Sequence, residues 1–396
     1  MSGHHTPGWI APRRRALDQF IRPTRAEIDL DALERNYRAV RALAPELEVL
    51  AMVKANAYGH GATAVAHRLE RAGVRLLGVA LVEEGIELRN AGVSAPILVL
   101  GGSYQGGYEG MVERDLHATV FRRDHVEALA AAARRAGKTV TAHLKVDTGM
   151  GRLGATLEEL PGLLEVLKQS PEVRLEGLCS HLASADEQGA PLTRVQLERW
   201  EAARRRVEDA GFDPELRHLS NSAALLALPE VSGGGAFNLA RPGLALYGLP
   251  PAPWLEDRVA LFPVMSWKSG IIHLKDVPAG ASVSYGATWT AARPSRIATL
   301  PVGYADGYER SFSNRAQVLV RGQRAKVVGR VTMDMCMVDV TGVPGAAVGD
   351  EVVLIGQQGS ESIGARELAE LDGRLIYEVL CGVGARVPRV SISTVL

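Results

Sequence analysis

Val53-Lys54-Ala55-Asn56-Ala57-Tyr58-Gly59-His60-Gly61 is the stretch from which the rest of the chain can be read. An apolar run of strand length, Leu47 to Val53, leads into it, and a helix-like run, Ala62 to Ala72, follows. Lys54 therefore stands where a buried strand ends and a turn begins. An ammonium in such a place is short of water, which lowers a lysine pKa and frees a nucleophilic amine. Schiff-base chemistry requires a neutral amine in an apolar slot. The plain alternative is a lysine that snorkels at a strand end. Tyr58 can hydrogen-bond or stack beside it, and Gly59 and Gly61 allow a tight turn or close approach to a ligand.

Outward from this stretch a rhythm sets in. Ala26 to Leu30 reads as a short strand, and Asp31 can cap a helix through Ala44. Strand-length apolar runs then occur at 47–53, 76–81, 96–100, 118–121, 140–146, 175–181, 216–219 and 237–240. Helix-period segments such as 123–136 and 194–210 fill most of the gaps. Alternating strand and helix implies a parallel sheet, and eight such units over roughly 200 residues predict an α/β fold closed into a (β/α)8 barrel. An open doubly wound sheet is the rival. Barrel active sites lie at the C-terminal ends of the strands, where Lys54, Arg152, His181, Asn221, Ser222 and Arg241 fall. Leu249-Pro250-Pro251-Ala252-Pro253 breaks the rhythm and reads as a linker. Short strands with Gly and Pro turns follow, predicting a β-rich second domain. The expected division is an N-terminal extension over 1–24, the barrel over 25–255 and the β-rich domain over 256–396.

Bulk properties narrow the function. The 396 residues hold 45 Lys+Arg and 45 Asp+Glu, so no net field favours nucleic acid. Cys179, Cys336 and Cys381 are too scattered for a disulfide framework or a zinc site, and no metal is expected. A reducing cytoplasm fits. Residues 1–25 lack the apolar core of a signal peptide, and no apolar run is long enough to span a membrane.

Further motifs carry chemistry. In Lys145-Val146-Asp147-Thr148-Gly149-Met150-Gly151-Arg152-Leu153-Gly154, the glycines formally match G-x-G-x-x-G after a strand. That is the best case for a nicotinamide-dependent oxidoreductase. The competing reading is a glycine turn that sets Arg152 in the site, its planar fork ready for a carboxylate. Asn221-Ser222 reads as a helix N-cap after the seventh strand. With Arg241-Pro242-Gly243-Leu244 beside it, it offers anion-binding features near the candidate Schiff-base lysine. A phosphorylated aldehyde cofactor is the economical reading. His181 closes an apolar strand, where a satisfied core histidine is the plain alternative. Val283-Ser284-Tyr285-Gly286-Ala287 places a tyrosine in a turn of the second domain. A free phenol is a poor base, but a nearby cation lowers its pKa. Tyr304 and Met333-Asp334 mark further polar turns, with Asp334 in a methionine-rich strand and Asp306-Gly307 a plain turn signal.

Taken in order, these stretches resemble the alanine racemase family, over nearly the whole chain from about Arg25. Val53 to Gly61 looks like the family's cofactor-lysine motif. Lys145 to Arg152, Ser180-His181, Asn221-Ser222 and Arg241-Pro242-Gly243 match its later barrel motifs. Val283 to Ala287 looks like the loop holding its second base. Thr332-Met333-Asp334 and Ile376-Tyr377-Glu378 look like its substrate-rim and phosphate-binding segments. The resemblance implies pyridoxal 5'-phosphate (PLP) as cofactor, carried by Lys54 as a Schiff base. Tyr58, Ser222, Gly243 and Tyr377 would hold the phosphate, with Asn221 and Leu244 nearby, and Arg241, flanked by His181, would face the pyridine nitrogen. An arginine there does not give the ring a proton, so less charge is drawn onto the ring. The resemblance further implies Lys54 and Tyr285 as the two bases. Arg152 and the Met333 N–H would hold the substrate carboxylate, with Tyr304 and Asp334 at the rim and Lys145 carbamylated to brace Arg152. It implies a cytoplasmic homodimer with shared active sites, interconverting L- and D-alanine for peptidoglycan. Thr332 stands where many relatives carry Cys. A racemase of broader preference on the same scaffold is the near alternative. A PLP decarboxylase is more distant, because decarboxylation profits from a protonated ring, which Arg241 does not supply. A non-catalytic PLP carrier is opposed by the full second domain with Tyr285.

Overall fold

The computed structural model describes residues 21–103, 106–232 and 235–392. Most of the expected N-terminal extension, residues 1–20, lies outside the described residues. The described residues form two compact units, one over 29–264 and one built from 21–28 together with Met265–Ile392.

The first unit is the barrel. A first strand, β1 (Arg25–Asp29), precedes it. Then come β2 (Glu48–Met52), β3 (Leu76–Val79), β4 (Ile97–Val99), β5 (His117–Val120), β6 (Val140–Lys145), β7 (Val173–Cys179), β8 (Leu216–His218) and β9 (Leu239–Ala240). β2 to β8 pair in parallel in chain order, and β9 pairs in parallel with β2. Asn238 N donates to Arg217 O at 3.1 Å and Arg241 N to Ser220 O at 2.9 Å, which ties β9 to β8 and closes the ring. All eight strands fall on the apolar runs of the sequence, and the open-sheet rival is excluded. The strands read as near-continuous apolar runs because both faces are covered, one by the barrel interior and one by helices. The helix Arg123–Ala136 shows the pattern: His125, Val126, Leu129, Ala130, Ala132 and Ala133 are buried, at helical spacing.

Two local expectations change. Asp29, not Asp31, caps the first helix, its Oδ1 accepting from Asp31 N at 3.0 Å and Ala32 N at 2.8 Å. The proline-rich stretch near 250 is not a linker. Pro253–Arg258 forms a 3-10 helix within the barrel unit, with Leu255 buried and Trp254 Nε1 donating to Asp186 O at 2.8 Å. The unit ends at Val264, nine residues beyond the expected boundary at 255.

In the second unit the strands run, in spatial order, His273–Val277, Ser295–Leu300, Cys336–Asp339, Gln323–Val327, Gln317–Val320, Glu351–Gln358, Met265–Gly270, β1 and Arg389–Ile392. Met265–Gly270 and His273–Val277, although close in sequence, lie apart in the sheet. The expected barrel bounds, 25–255, took in β1, but it pairs antiparallel with Met265–Gly270, Arg25 opposite Lys268 and Ile28 opposite Met265. The reason is chemical. Glu27 is buried, and its carboxylate is met by Lys268 Nζ at 2.9 Å and Arg25 Nη2 at 2.7 Å, both within this unit.

Candidate active site

Lys54 directly follows β2 and Val53, and the backbone after it is unusual. Ala55, Asn56, Ala57 and Tyr58 have φ between 51° and 53°, the left-handed region that L-residues avoid by roughly 1–2 kcal/mol each. The turn is clamped from outside. Glu84 Oε1 accepts from Ala55 N at 2.6 Å, and Asn56 Oδ1 accepts from Ala62 N at 2.8 Å. The buried His60 ring packs 4.5 Å from Tyr247. The result presents Lys54 Nζ 5.9 Å from the centroid of the Tyr58 ring. Strain of this kind persists where the surroundings over-determine it, as at functional sites.

Tyr58 is buried and tilted against Tyr247, centroids 5.0 Å apart, and Tyr247 is fixed by its hydroxyl donating to Met52 O at 2.8 Å. Beside Tyr58 lies Gly243, where a Cβ would stand 2.5 Å from the Tyr58 hydroxyl. Ser222 Oγ accepts from Gly243 N at 2.8 Å and from Ala245 N at 3.3 Å, so the two anion-type segments of the sequence meet. Asn221 caps the Ser222–Ala227 helix, accepting from Ala224 N at 2.9 Å, and Leu244 opens the buried 3-10 turn Leu244–Tyr247.

Arg241 follows β9 and is buried. Its Nη1 donates to His218 Nδ1 at 2.8 Å and His218 O at 2.9 Å. Its Nη2 donates to Ser180 O at 2.7 Å and lies 3.1 Å from His181 Nδ1. With its four Nη hydrogens engaged, the guanidinium keeps Nε–H as its remaining donor. Burial pushes His181 well below the usual histidine pKa, and repulsion from Arg241, Lys145, Arg152 and Lys54 pushes it further. His181 is therefore a neutral imidazole among cations. Lys145 ends β6 and is buried too. Burial lowers its pKa, Arg241 and Arg152 add to the fall, and Cys179 and Asp147 oppose it.

The glycine-rich segment after β6 is not a dinucleotide cradle. Asp147 carboxylate oxygens accept from Gly149 N at 2.9 Å and Gly151 N at 3.0 Å, which occupies the amides that a pyrophosphate would need. No helix begins until Leu160. A Cβ at Gly154 would meet Asp147 N at 2.4 Å, so this glycine serves the turn that carries Arg152.

The structure thus brings Lys54, Tyr58, Lys145, Arg152, His181, Asn221, Ser222, Arg241, Gly243 and Leu244 to the strand ends of the barrel unit. Tyr285, Tyr304, Met333, Asp334 and Tyr377 belong to the second unit, and all are exposed there. Tyr285 is 71% exposed in a short turn after Val283, which is packed with Ile297 and Val328, while Ser284 Oγ donates to Arg330 O at 2.7 Å. Tyr304 and Met333 are neighbours: Tyr304 N donates to Thr332 O and Ala305 N to Met333 O, both at 3.0 Å. Thr332 Oγ1 donates to Met335 O at 2.8 Å and so closes the rim turn. Asp334 is not in a strand. It sits in that exposed turn, paired with Arg386 at 2.7 Å.

Several residues escaped the sequence reading. Glu84 clamps the lysine turn. Gln196, fully buried, donates to His181 O at 2.8 Å and accepts from Ala183 N at 2.9 Å. His218 holds Arg241. Asp306, read as a plain turn residue, is fully buried and paired with Arg22 at 2.8 Å. His218 offered a signal, since it precedes the Asn221-Ser222 motif by one strand end. Glu84 and Gln196 offered none, because helix-borne polar residues are normally solvated.

A strained lysine turn, a Ser222/Gly243 contact and a buried arginine thus gather at the C-terminal strand ends, the end at which (β/α)8-barrel enzymes carry their active sites. Residues 28–251 match the alanine racemase N-terminal domain and residues 264–391 the alanine racemase C-terminal domain. An alanine racemase of Symbiobacterium thermophilum is 49% identical over 369 residues, covering 93% of this chain and 97% of its own. One of Sorangium cellulosum is 46% identical over 93% and 99% respectively. Among solved structures, the alanine racemase from D-cycloserine-producing Streptomyces lavendulae superposes with a TM-score of 0.90 at 38% identity, covering 95% of this chain and 98% of its own. The chain belongs to the alanine racemase family, and its reaction is the interconversion of L-alanine and D-alanine.

Proposed function

We propose that the chain racemises alanine with PLP held at the barrel's strand ends and a second copy of the chain completing each site. The observation that carries this is the Lys54 turn set beside the Gly243 cradle and the buried Arg241. The residues fit the cofactor. Gly243 leaves room against Tyr58 that any Cβ would fill, and Arg241 retains one donor for a pyridine nitrogen. When bound, PLP withdraws electrons from the substrate Cα and so acidifies its hydrogen.

Lys54 carries the cofactor. Tyr58, Ser222, Gly243 and Tyr377 hold its phosphate, with Asn221 and Leu244 ordering the loop. Arg241 and the neutral His181 flank the ring without protonating it. Arg152 and the Met333 N–H take the substrate carboxylate, with Tyr304 and Asp334 at the rim. A proton must leave one face of Cα and return on the other, so two bases are needed. Lys54 Nζ serves the D-isomer and the Tyr285 hydroxyl the L-isomer. The exposure of Tyr285 supports its use by a second copy. A buried lysine with a lowered pKa offers the neutral amine that reacts with carbon dioxide. Carbamylated Lys145 would then be an anion bracing Arg152. We place the enzyme in the cytoplasm, supplying D-alanine for peptidoglycan. No helix among the described residues is long and apolar enough to cross a membrane.

Borohydride reduction followed by peptide mapping tests the assignment: the pyridoxyl group belongs on Lys54, and a label on another lysine rejects it. Mixing Lys54→Ala and Tyr285→Phe homodimers, each nearly inactive, should restore activity on subunit exchange. If exchange occurs and activity does not return, Tyr285 does not act across an interface.

A further inference from the structure

Behind Arg241, a line of buried polar side chains runs back along the strands, and none of it contacts the proposed bases. His218 Nε2 lies 2.8 Å from His143 Nδ1. His143 Nε2 makes no well-aligned hydrogen bond, and Glu176 Oε2 lies 3.4 Å from it. The same carboxylate oxygen is 3.2 Å from His117 Nδ1, and Arg174 Nη2 donates to Oε1 at 2.9 Å. His143 and His218 are fully buried and Glu176 nearly so.

Proton positions along this line follow from one fact: an arginine only donates. Arg241 Nη1–H therefore makes His218 Nδ1 an acceptor. Burial keeps both imidazoles neutral, so each holds a single proton. His218 must carry its proton on Nε2 and donate to His143 Nδ1. His143 must then carry its own on Nε2, facing the Glu176 carboxylate. Every donor points one way, from the guanidinium cation to the carboxylate anion. The fold also makes space for the line. A Cβ at Gly177 would fall 2.2 Å from His143 Nδ1, and the β6–β7 register shifts between Ala142 and His143.

We propose that Glu176 is a positioning residue for the racemase reaction, fixing through the tautomers of His143 and His218 the hydrogen-bonding face offered to Arg241. His117, His143 and Glu176 could also be read as a metal site, since their ligand atoms lie within 4.8 Å of one another. A metal would need the Nε2 lone pair of His143, which the tautomer chain uses as an N–H. The two readings exclude each other. Without an acceptor at position 176, His143 is free to hold its proton on Nδ1. Two N–H groups would then oppose each other at His218, or, if His218 flips in turn, at Arg241.

The consequence for the cofactor rests on the PLP reading above, but the tautomers do not. Long-range proton–nitrogen NMR of holoenzyme labelled with 15N-histidine reads the tautomers directly. The expected pattern is a pyridine-type Nδ1 and a pyrrole-type Nε2 on both His143 and His218. Glu176→Leu should mix these tautomers, shift the resting cofactor absorbance band and raise the PLP dissociation constant about tenfold. Glu176→Gln, which keeps an acceptor oxygen, should retain the tautomers and stay within about twofold of wild type. A pyridine-type Nε2 on His143 in the wild type overturns the proposal, as does stoichiometric zinc by elemental analysis. A folded Glu176→Leu with unchanged tautomers and PLP affinity overturns it too. If Glu176→Leu does not fold, the wild-type spectrum decides. A protein that binds no PLP yet shows the expected tautomers defeats the cofactor assignment and leaves the tautomer chain standing.

Discussion

A Cβ at Gly243 would stand 2.5 Å from the Tyr58 hydroxyl and 3.0 Å from its ring carbon, and Tyr58 is held in place by Tyr247. Relief would require moving both rings or the Gly243 backbone that Ser222 binds. Gly243→Ala should leave the barrel folded while raising the PLP dissociation constant by about tenfold or more, because overpacking of this kind is not absorbed locally. Titration of the apoenzyme with PLP measures it, and wild-type affinity would mean that the Tyr58–Gly243 contact does not shape the cofactor site. A second residue-scale effect lies away from the site. Burial lowers the His125 pKa from 6.5, with Asp124 opposing and Arg122 adding to the fall. The unfolded chain therefore takes up a proton before the folded one does. His125 stabilises the fold fully above the unfolded value of about 6.5 and loses that contribution as pH falls below it toward the folded pKa. Wild type should lose more stability than His125→Phe between about pH 7.5 and 5.5. Paired urea titrations of the two proteins at both pH values test this, and parallel losses would show that folding does not lower the His125 pKa.

At the scale of the element, the turn from Lys54 to Tyr58 depends on Glu84, which stands on the following βα unit. Glu84 accepts from Ala55 N, Ala80 N and Leu81 N, at 2.6, 2.8 and 3.1 Å. Glu84→Ala leaves those amides without the carboxylate and frees a left-handed turn to relax. The expected loss is about 1–3 kcal/mol of stability, with slower borohydride labelling of Lys54. If labelling and stability both match wild type, the turn is held by its own backbone. The turn also shows what could be read from the sequence. Strand, lysine, tyrosine and glycines in that order marked its place, and the eight apolar runs marked the barrel, because buried parallel strands are written as local apolar periods. The left-handed run over Ala55–Tyr58 was not legible, since only Asn56 is a residue type that favours positive φ, and two alanines and a tyrosine do not. The same holds for His143, His218 and Glu176. Their pairing spans up to 75 residues of sequence and depends on register, which no local pattern encodes.

At the scale of the whole molecule, the chain begins in one unit, leaves it to build the barrel and returns at Met265. β1 is not a terminal ornament of the sheet, since it lies between Met265–Gly270 and Arg389–Ile392. Several contacts fasten this short segment. Arg22 Nη1 donates to the buried Asp306 at 2.8 Å, whose other oxygen accepts from Gly303 N at 3.1 Å. Thr24 Oγ1 donates to Pro301 O at 2.8 Å and lies 2.9 Å from Ser269 Oγ. Ala26 N donates to Pro388 O at 2.9 Å. A fragment of residues 265–392 would lack that strand, open two sheet edges in its interior and leave Asp306 buried without Arg22. Such a fragment is expected to be soluble and folded only when residues 21–29 are supplied, as a fused or added peptide. In the full chain, Arg22→Ala should lower stability by about 3 kcal/mol, because it leaves the buried Asp306 carboxylate with only Arg386 at 3.5 Å. Circular dichroism and urea unfolding of the fragment with and without the peptide decide the matter. A cooperative transition in the fragment alone would show that the sheet closes without β1, and that the discontinuous unit is an accident of chain order and not a condition of folding.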